Sequence, residues 1–564
     1  MATWERFKQE SAKEEPRMDA SVRFDTQIIG ALPVIVDYFE QLQLSAIINE
    51  IVPWEGRVPL GTVVEIMIAN RLLHPEALYR IGEWAQKAGL TDYYGVTAEQ
   101  LNDDLLGRAL ERLAEYGDAI EAAVVTRMLK VFKVQVKQIH FDITDVELYG
   151  AYEQQLAEGQ APPTPLPAYG RTKSGRKNVK QIGLGLNVTA DGGVPVGHLP
   201  LNGNAAESPV HLENLRALAR LLGKSDFVYI ADTKLDTTDN LLAIAAGDGF
   251  FLCGGAFQPH LQDQYLKLRR RGKLTKVDYF PQSQARLPAD QRDKYEAAET
   301  TAVLKGTVGG RAIHAVYRLV FVWSEAKARQ EAQTRERHVS KIREQFEAVE
   351  RNLNKYSLTT QEKILGRLES AKAKYSEGSL FEYKLTKDRK GLFHLTWKIN
   401  AKRLARHKQL EGVYLLKTNL PVKRCPTANV LSTYKEQSQV ERRFHHCKGP
   451  LAVAPMFLEK PERMAGLLCI LVWALMVMAL MERETRRSLK GKPMYGLYPE
   501  NRPSPAPTGP AILKCFSTLC IVIVKEHGKV SRRLAEPDPT QRKLLHLLGI
   551  PPDRLRTFKR RCGT

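Results

Sequence analysis

The segment VKQIHFDITDVELYG, residues 136–150, constrains the fold most because its side chains alternate with a period of two. The polar residues His140, Asp142 and Thr144 are interleaved with large apolar residues, which is the pattern of a β-strand. An aspartate inside an apolar strand is costly to bury unless something pairs with it. We therefore predict a strand on which Asp142 has a partner.

A second acidic residue directly follows the apolar run 227–231. This residue is Asp232, and the pattern predicts a helix from about Thr238. The C-terminal end of a buried strand is where open α/β sheets place ligand-binding groups. Asp232 is therefore a second candidate site residue.

The residues between the two acids predict a β-hairpin. The strands lie within 181–208 and are joined by a tight turn at Asp191-Gly192-Gly193, a typical hairpin turn composition. A helix over about 210–222 is predicted to follow. Three antiparallel strands, then a strand and a helix, is the plan of a ribonuclease-H-like sheet. The predicted fold class is therefore α/β with a ribonuclease-H-like core.

A third acidic residue lies in YKEQSQVERRFHHCK, residues 434–448, which predicts a single helix. At ~100° per residue, four polar side chains fall within an arc of roughly 60°. They are Tyr434, Gln437, Glu441 and Lys448. Such a face can hold a metal-binding acid and contact a phosphate backbone together. The alternative is a charged, solvated helix face, and the two upstream acidic segments weigh against it.

In combination, these segments resemble the DDE transposases of bacterial insertion sequences. The resemblance is to the insertion-sequence-four-like superfamily, which is marked by the pattern Y-x2-R-x3-E-x6-K, and within it to the sixteen-thirty-four group. The residues at these positions are Tyr434, Gln437, Glu441 and Lys448, with glutamine where arginine is usual. The string GNAAES at 203–208 also resembles the family's linker after the hairpin. The resemblance covers roughly residues 30–550.

The resemblance implies the roles of the candidate residues. Asp142, Asp232 and Glu441 would be both catalytic and metal-binding. The implied DNA-binding residues are Tyr434, Gln437, Lys448 and Arg442. Lys435 or Arg442 would take over the contact of the missing arginine. The implied activity is DNA cleavage and strand transfer at terminal inverted repeats, by a homodimer acting on double-stranded transposon ends and target DNA.

The chemistry of strand cutting and joining explains why three acids suffice. The attacking oxygen must be activated and the leaving oxygen stabilised, and two Mg²⁺ ions about 3.5–4 Å apart do both. Mg²⁺ prefers carboxylate oxygens, so we expect two Mg²⁺ ions as cofactors, with Mn²⁺ as a substitute. Among the neighbouring acids, Asp145 is expected on the opposite strand face from Asp142, and Asp239 as a helix cap or first-turn acid.

Charge is distributed unevenly along the chain. Residues 1–130 hold 13 Lys and Arg against 21 Asp and Glu, a net charge of −8, so the rest must carry +29 to give the overall +21. A strongly basic body favours a polyanionic partner, nucleic acid first. The basic clusters at 267–276 and 402–408 suit phosphate contacts, with solvated loops as the alternative.

Cysteine spacing and hydropathy indicate which classes of protein the sequence does not favour. The seven cysteines include no CxxC pair, which favours neither a zinc ribbon nor a disulfide framework. The polar N-terminal segment is unlike a signal peptide, so we expect a cytoplasmic, nucleoid-associated protein. The apolar run 464–481 is 18 residues long, the lower limit for a membrane span. We expect a buried core helix there, and no membrane partner.

The predicted domain organisation has four parts, and the fold class adds a mostly β insertion and an all-α N-terminal domain to the core. The parts are a helical N-terminal domain for DNA-end binding or dimerisation (1–130), the catalytic core (131–250 and 425–490), a β-rich insertion with a charged helical hairpin near 325–375 (251–424), and a Pro-rich linker with a C-terminal helical tail (491–564).

Two other functions stay open at this point. One is a catalytically inactive DNA-binding relative; the presence of all three acids argues against it, whereas Gln437 leaves it open. The other is a ribonuclease-H-like nuclease that cleaves without strand transfer. A strand-transfer assay on DNA bearing the terminal repeats separates these functions.

Overall fold

The computed structural model describes residues 22–150, 152, 165–170, 175, 176, 178–285, 287–453, 456, 458–527, 529–551, 554 and 555. These residues form a mixed α/β fold. The strands in chain order are β1 (Val22–Ile28), β2 (Gln138–Leu148), β3 (Ala168–Tyr169), β4 (Lys180–Thr189), β5 (Pro195–Leu201), β6 (Val228–Ala231), β7 (Phe250–Gly255), β8 (Thr275–Val277), β9 (Tyr295–Val308), β10 (Arg311–Ser324), β11 (Phe381–Lys387), β12 (Phe393–Ile399), β13 (Val413–Thr418), β14 (Cys520–Glu526) and β15 (Lys529–Leu534).

The α-helices are named in the same way, and short 3₁₀ turns connect some of them. The helices in chain order are α1 (Leu32–Leu42), α2 (Leu44–Ile51), α3 (Leu60–Leu73), α4 (Ile81–Lys87), α5 (Leu90–Tyr94), α6 (Asp103–Phe132), α7 (Glu207–Leu222), α8 (Thr238–Ala246), α9 (Pro259–Arg270), α10 (Glu325–Arg351), α11 (Gln361–Ala373), α12 (Ala401–Leu410), α13 (Thr427–Lys435), α14 (Ser438–Lys448), α15 (Pro461–Leu489), α16 (Gly509–Cys515) and α17 (Pro539–Leu547).

The chain forms two compact units. Unit 1 comprises Met1–Phe227 and Ser438–Thr564, and unit 2 comprises Val228–Gln437. Unit 1 is therefore built from two separate stretches of sequence, whereas unit 2 is one continuous stretch. These boundaries differ from those of the four predicted domains, which stay a prediction.

The strands around Asp142 in unit 1 follow the predicted plan. β4 pairs antiparallel with β2 along one edge, and with β3 and β5 along the other. The hairpin turn between β4 and β5 contains Gly192 at φ +88° and Gly193 at φ +63°, a left-handed backbone that favours glycine. The predicted hairpin and the helix after it, α7, are both confirmed.

The apolar run expected to be a core helix is α15. This helix is long and apolar enough to cross a membrane, and its most apolar window is entirely buried inside the fold. It packs against α3, α6 and β5 within unit 1. Neighbours on several sides explain why the helix is apolar around its circumference.

Unit 1 also contains the N-terminal helices and a small sheet. Residues 30–130 are mostly helical, but the N-terminal domain predicted as all-α over 1–130 also contains the strand β1. α6 is a single helix capped by Asn102, whose side chain accepts a hydrogen bond from Leu105 N at 2.9 Å. β1 pairs with β14, which pairs with β15. The C-terminal tail, predicted to be helical, thus contains the helices α16 and α17 but also two strands, and the β-branched run of β14, CIVIVKE, favours a strand.

Unit 2 contains a mixed sheet. Its strands lie in the order β6-β7-β13-β10-β9-β8, with β6 and β7 parallel and the other neighbours antiparallel. Ile230, Leu252 and Val320 are fully buried in the core on this sheet. β9 and β10 lie within residues 251–424, where a β-rich insertion is predicted.

A second, smaller core in unit 2 belongs to the charged helical region. α10 packs against α11, and β11 pairs antiparallel with β12. Phe346, Ile364 and Phe381 are buried where these elements meet. The predicted strands and paired helices of the insertion are thus confirmed as secondary structure.

Candidate active site

Asp142 lies in the middle of β2 in unit 1. The pairing of β2 with β4 runs without a register shift from Ile139 to Leu148. The side chain is half-buried, and its Oδ1 accepts a hydrogen bond from the backbone N–H of Ile143 at 2.8 Å. The predicted strand position of this carboxylate is confirmed.

The neighbouring acid on β2, Asp145, has a different environment. It is three residues from Asp142 on a strand with regular register, so the two side chains lie on opposite faces. The carboxylate of Asp145 is largely buried, and its Oδ1 lies 3.4 Å from Lys448 Nζ. Lys448, a predicted DNA contact, is thus also an ion-pair partner of this acid.

Glu441 lies on α14, and the prediction of a single helix over 434–448 is wrong. α13 ends at Lys435, Gln437 N donates to Tyr434 O at 3.0 Å, and α14 begins at Ser438. Glu441 and Lys448 still share an exposed face of α14. Tyr434 and Gln437 precede that helix and are not part of its face.

The break between α13 and α14 has a cause in the apolar pattern. On α13 the buried side chains are Val430 and Leu431, and on α14 Val440, Phe444 and Cys447 form the buried stripe. At ~100° per residue, these two stripes are out of phase by roughly 120° on a continuous helix. One straight helix could not bury both stripes on the same side, so the chain turns between them.

Arg443 fixes the position of α14 in unit 1. Its guanidinium is almost completely buried. Nε donates to Gly193 O at 2.8 Å and Nη2 to Gly192 O at 2.7 Å, and Nη2 lies 2.7 Å from Glu482 Oε2 on α15. Nη1 donates to His446 Nδ1 at 3.2 Å. One side chain therefore joins the helix of Glu441 to the β4–β5 turn and to α15.

Two further contacts hold the same turn. Gln439 Nε2 on α14 donates to Ala190 O at 2.9 Å. From α15, Arg483 binds Asp191 with two hydrogen bonds, of 2.9 Å from Nε and 2.6 Å from Nη2. Such two-pronged arginine–carboxylate pairs restrict orientation as well as distance. The turn is therefore bound from both helices. We call this set of contacts the turn clamp.

Burial sets the protonation of the groups in the turn clamp. Burial lowers the pKa of Arg443, against the opposing influence of Glu482. Burial would raise the pKa of Glu482, but Arg443 and Arg486 lower it below its usual range. Burial also lowers the pKa of His446 to about 4. His446 is thus neutral near pH 7, and its Nδ1 can accept the hydrogen bond from Arg443.

Asp232 lies in unit 2, directly after β6, as predicted. Its side chain accepts a hydrogen bond from Lys234 N at 2.9 Å and caps the 3₁₀ turn Thr233–Leu235. The neighbouring Asp236 is bound by Lys417 Nζ at 2.7 Å. The helix predicted from about Thr238 is confirmed as α8, with Asp239 in its first turn.

Tyr434 lies close to the turn that follows Asp232. A methyl group at Gly254 on β7 would lie 2.6 Å from Thr233 Cγ2 and 3.3 Å from the Tyr434 hydroxyl oxygen. This glycine therefore leaves the space that the tyrosine hydroxyl and the turn share. Within unit 2 the structure thus brings Tyr434 near the turn of Asp232.

The two candidates for replacing the missing arginine differ in their contacts. The ammonium group of Lys435 lies 5.7 Å from the centre of the Tyr414 ring, a cation–π distance. Arg442 is half-buried on α14, next to the clamped Arg443. Gln437 itself is half-buried in the bend between α13 and α14. The DNA-binding role of each stays a prediction.

The acids have the donor atoms that Mg²⁺ prefers, since carboxylate oxygens are its usual protein ligands. In the part of the chain that the structure describes, however, no three His, Cys, Asp or Glu side chains converge closely enough to hold a metal ion. The residue types of the three acids fit the ion, and its binding by these acids stays a prediction.

Sequence reasoning missed Arg443, although a signal for it was present. Val440, Phe444 and Cys447 form the apolar stripe of α14, and Arg443 lies beside that stripe at helical spacing. An arginine at the edge of an apolar stripe is expected to be buried at least in part, and a buried charge requires partners. The adjacent Arg442, chosen as a DNA contact, is outside the stripe.

Comparisons with known proteins give three findings. Residues 24–122, in the N-terminal part of unit 1, match the family described as Domain of unknown function (DUF4277). No curated protein matches the chain. Among solved structures, the chain is similar to one from the cryo-EM structure of a piggyBac transposase synaptic complex with hairpin DNA. The identity is 8% and the TM-score 0.33, over 96% of this chain and 87% of that chain. The matched family segment contains none of the three candidate acids.

Proposed function

We propose that this protein is a DDE transposase that cuts DNA at the ends of an insertion sequence and joins them to a target. The proposal is supported most by the positions of the three acids. Asp142 lies on a strand, Asp232 follows the end of another strand, and Glu441 is exposed on a helix. These are the element types that the ribonuclease-H-like plan requires at these points of the sequence.

The proposed roles follow from these positions. Asp142, Asp232 and Glu441 are the proposed ligands of Mg²⁺, which would activate the attacking oxygen and stabilise the leaving oxygen when bound. Arg443 is a positioning residue, because its contacts fix the helix that carries Glu441. Its buried guanidinium contributes rigidity and makes no contact with DNA.

The proposed DNA contacts lie beside the acids. Arg442 and Lys448 are on the same helix as Glu441, and Tyr434 and Gln437 precede it. Lys448 would have to leave Asp145 in part to bind a phosphate, and their 3.4 Å separation is that of a weak ion pair. Double-stranded transposon ends and target DNA are the proposed partners. The proposed active form is a homodimer in the bacterial cytoplasm.

The test is a cleavage and strand-transfer assay on duplex DNA carrying the terminal repeats that flank the gene. We expect Asp142→Asn, Asp232→Asn and Glu441→Gln each to lower the cleavage rate by about 10³, since a lost metal ligand costs several kcal/mol of transition-state stabilisation. DNA affinity should be largely kept. Cleavage should require Mg²⁺ or Mn²⁺ and stop on chelation.

The matched control for this test is Asp145→Asn. Asp145 is the neighbouring acid on β2 and already has Lys448 as a partner, so this variant should lose far less activity than Asp142→Asn. Equal losses of cleavage activity in Asp145→Asn and Asp142→Asn would show that Asp142 has no special role among the acids of β2. Near-normal cleavage by any of the three main variants would exclude that residue from the metal site.

A second candidate function is a DNA-binding relative that does not cleave. Gln437, which stands where the family pattern has arginine, favours it because the charge of that DNA contact is missing. In that case the wild-type protein would bind the terminal repeats and leave them intact in both Mg²⁺ and Mn²⁺. Cleavage without joining would instead indicate the nuclease alternative.

A further inference from the structure

Two basic clusters that are far apart in the sequence lie side by side in unit 2. The first is on α9 and the turn after it, and the second is on α12. Arg406 Nη1 on α12 lies 2.7 Å from Asp263 Oδ1 on α9, and Arg269 Nη1 on α9 donates to Gln409 O on α12 at 2.8 Å. The two clusters are separate in the sequence, and these contacts bring them together into one region of unit 2.

The charge of this region is almost entirely positive. Residues 259–277 hold six Lys and Arg and one acid, Asp263, and residues 401–410 hold four Lys and Arg and no acid. The one carboxylate is the partner of Arg406. The two segments together therefore have a net charge of +9 over 29 residues.

Several of these cations are exposed and have no carboxylate partner in the part of the chain that the structure describes. We call them the α9–α12 surface, and its residues are Lys267, Arg270, Arg271, Lys273 and Lys402. Within the described residues, none of the five takes part in an ion pair. Lys267 and Arg270 lie one helical turn apart at the end of α9, and Arg271 directly follows the helix as its C-cap. Lys402 precedes Arg406, which contacts α9, by one helical turn.

The helical pair α10–α11 in the same unit differs in its net charge and in the pairing of its cations. Its two helices hold ten Lys and Arg against eight Glu, a net charge of +2 over 40 residues. Lys327 is paired with Glu331, Arg335 with Glu411 and Lys372 with Glu369. Both regions of unit 2 have a high density of charge, but α10 and α11 lack the large excess of positive charge that the α9–α12 surface has.

We propose that the α9–α12 surface binds the phosphate backbone of duplex DNA, independently of base sequence. α9 has 12 residues and α12 has 10, so each spans about 15–18 Å, close to half a turn of B-form DNA. An array of this length can contact roughly four or five phosphates, which is enough for sequence-independent affinity. The inference rests on the proposed function for the choice of DNA as the polyanion.

The experiment neutralises four of these cations together, as Lys267→Gln, Arg270→Gln, Arg271→Gln and Lys402→Gln in the full chain. Affinity for a random-sequence duplex is measured over a salt series. Each lost phosphate contact lowers the slope of log K against log salt by about 0.9, so we expect a slope smaller by about three to four. Near 0.15 M salt, we expect at least about tenfold weaker binding.

The matched control removes the same charge from α10 and α11. Lys341, Arg343, Lys363 and Arg367 are also exposed, helical and without a carboxylate partner within the described residues. Their four glutamine substitutions should leave the slope within about one of the wild-type value. Circular dichroism of both variants checks that each is folded.

The outcomes separate this inference from the proposed function. An unchanged salt slope in the α9–α12 variant, or an equal decrease in the control variant, would overturn the proposal that this surface binds DNA. That holds even if the wild-type protein cleaves DNA. A loss of slope confined to the α9–α12 variant supports the surface even if no cleavage occurs. Tighter binding of duplex RNA than of duplex DNA through these residues would also overturn the assignment to DNA.

Discussion

The turn clamp in unit 1 and the α9–α12 surface in unit 2 use arginine for opposite purposes. In the clamp, Arg443 is buried, and its donors meet two backbone carbonyls, a carboxylate and an imidazole. On the surface, Arg270 and Arg271 are exposed and in no described ion pair. The burial of the side chain, rather than its type, decides whether the charge serves the fold or a partner.

The energetics of the two regions differ accordingly. Transferring a guanidinium out of water is costly, and three hydrogen bonds and the ion pair with Glu482 offset that cost for Arg443. Removing it would leave Glu482 as a buried anion. An exposed cation stays hydrated in the folded protein, so its removal changes the free energy of unfolding little. The following predictions test this contrast, beginning with the largest expected effect.

The substitution Arg443→Ala should lower the free energy of unfolding of unit 1 by about 3–5 kcal/mol, the usual cost of breaking a buried ion pair by removing one partner. Hydrogen exchange of the α15 amides measures this locally. The matched control is Arg442→Ala, one residue earlier and half-buried, for which we expect less than about 1 kcal/mol. Equal loss of protection in the two variants would contradict the distinction between them.

His446 gives the clamp a dependence on pH. Its pKa is about 4 in the folded protein against 6.5 unperturbed, so protonation favours the unfolded chain. Above pH 6.5 His446 is neutral in both states and does not lower the free energy of unfolding. As the pH falls from 6.5 towards 4, protonation of the unfolded chain lowers the free energy of unfolding by up to about 3 kcal/mol. We therefore expect the stability difference between wild type and His446→Gln to change over this window, as measured by urea unfolding.

This prediction concerns a difference, because many carboxylates also titrate over the same range. Subtracting the two stability curves removes their common part. A difference that stays constant from pH 7 to pH 4 would show that His446 does not titrate between the folded and unfolded states as proposed.

The smallest effect on stability is expected for the four glutamine substitutions on the α9–α12 surface. Because these cations are exposed and unpaired within the described residues, the free energy of unfolding of unit 2 should change by less than about 1 kcal/mol in total. Relief of repulsion between like charges could make that change slightly stabilising. A loss comparable to that of Arg443→Ala would show that these cations are structural.

Local patterns explain which parts of the fold the sequence could predict. The alternation in residues 136–150 and the Asp191-Gly192-Gly193 turn each specify an element within a few residues, and β2 and the β4–β5 hairpin follow them. The apolar run before Asp232 similarly determined the position of that acid at a strand end. Each of these features depends on neighbours in the sequence.

The errors arose where partners are distant or where two patterns compete. Four polar residues within one arc predicted a single helix over 434–448, but the apolar stripes of α13 and α14 are out of phase and broke it. The burial of Arg443 depends on Glu482, on another helix. The β-branched run of β14 is a local signal for a strand, but its pairing with β1, near the other end of the sequence, leaves no local signal.

The pairing of β1 with β14 has a consequence for synthesis of the protein on the ribosome. Ile28 pairs with Cys520, so about 490 residues are synthesised after β1 before the first residue of its partner strand. At roughly 5–20 residues per second this delay is on the order of half a minute to two minutes. Unit 2, which is continuous, is complete in sequence before the second stretch of unit 1 is translated. During that interval the exposed edge of β1 is open to pairing with other chains, which makes it a target for chaperones.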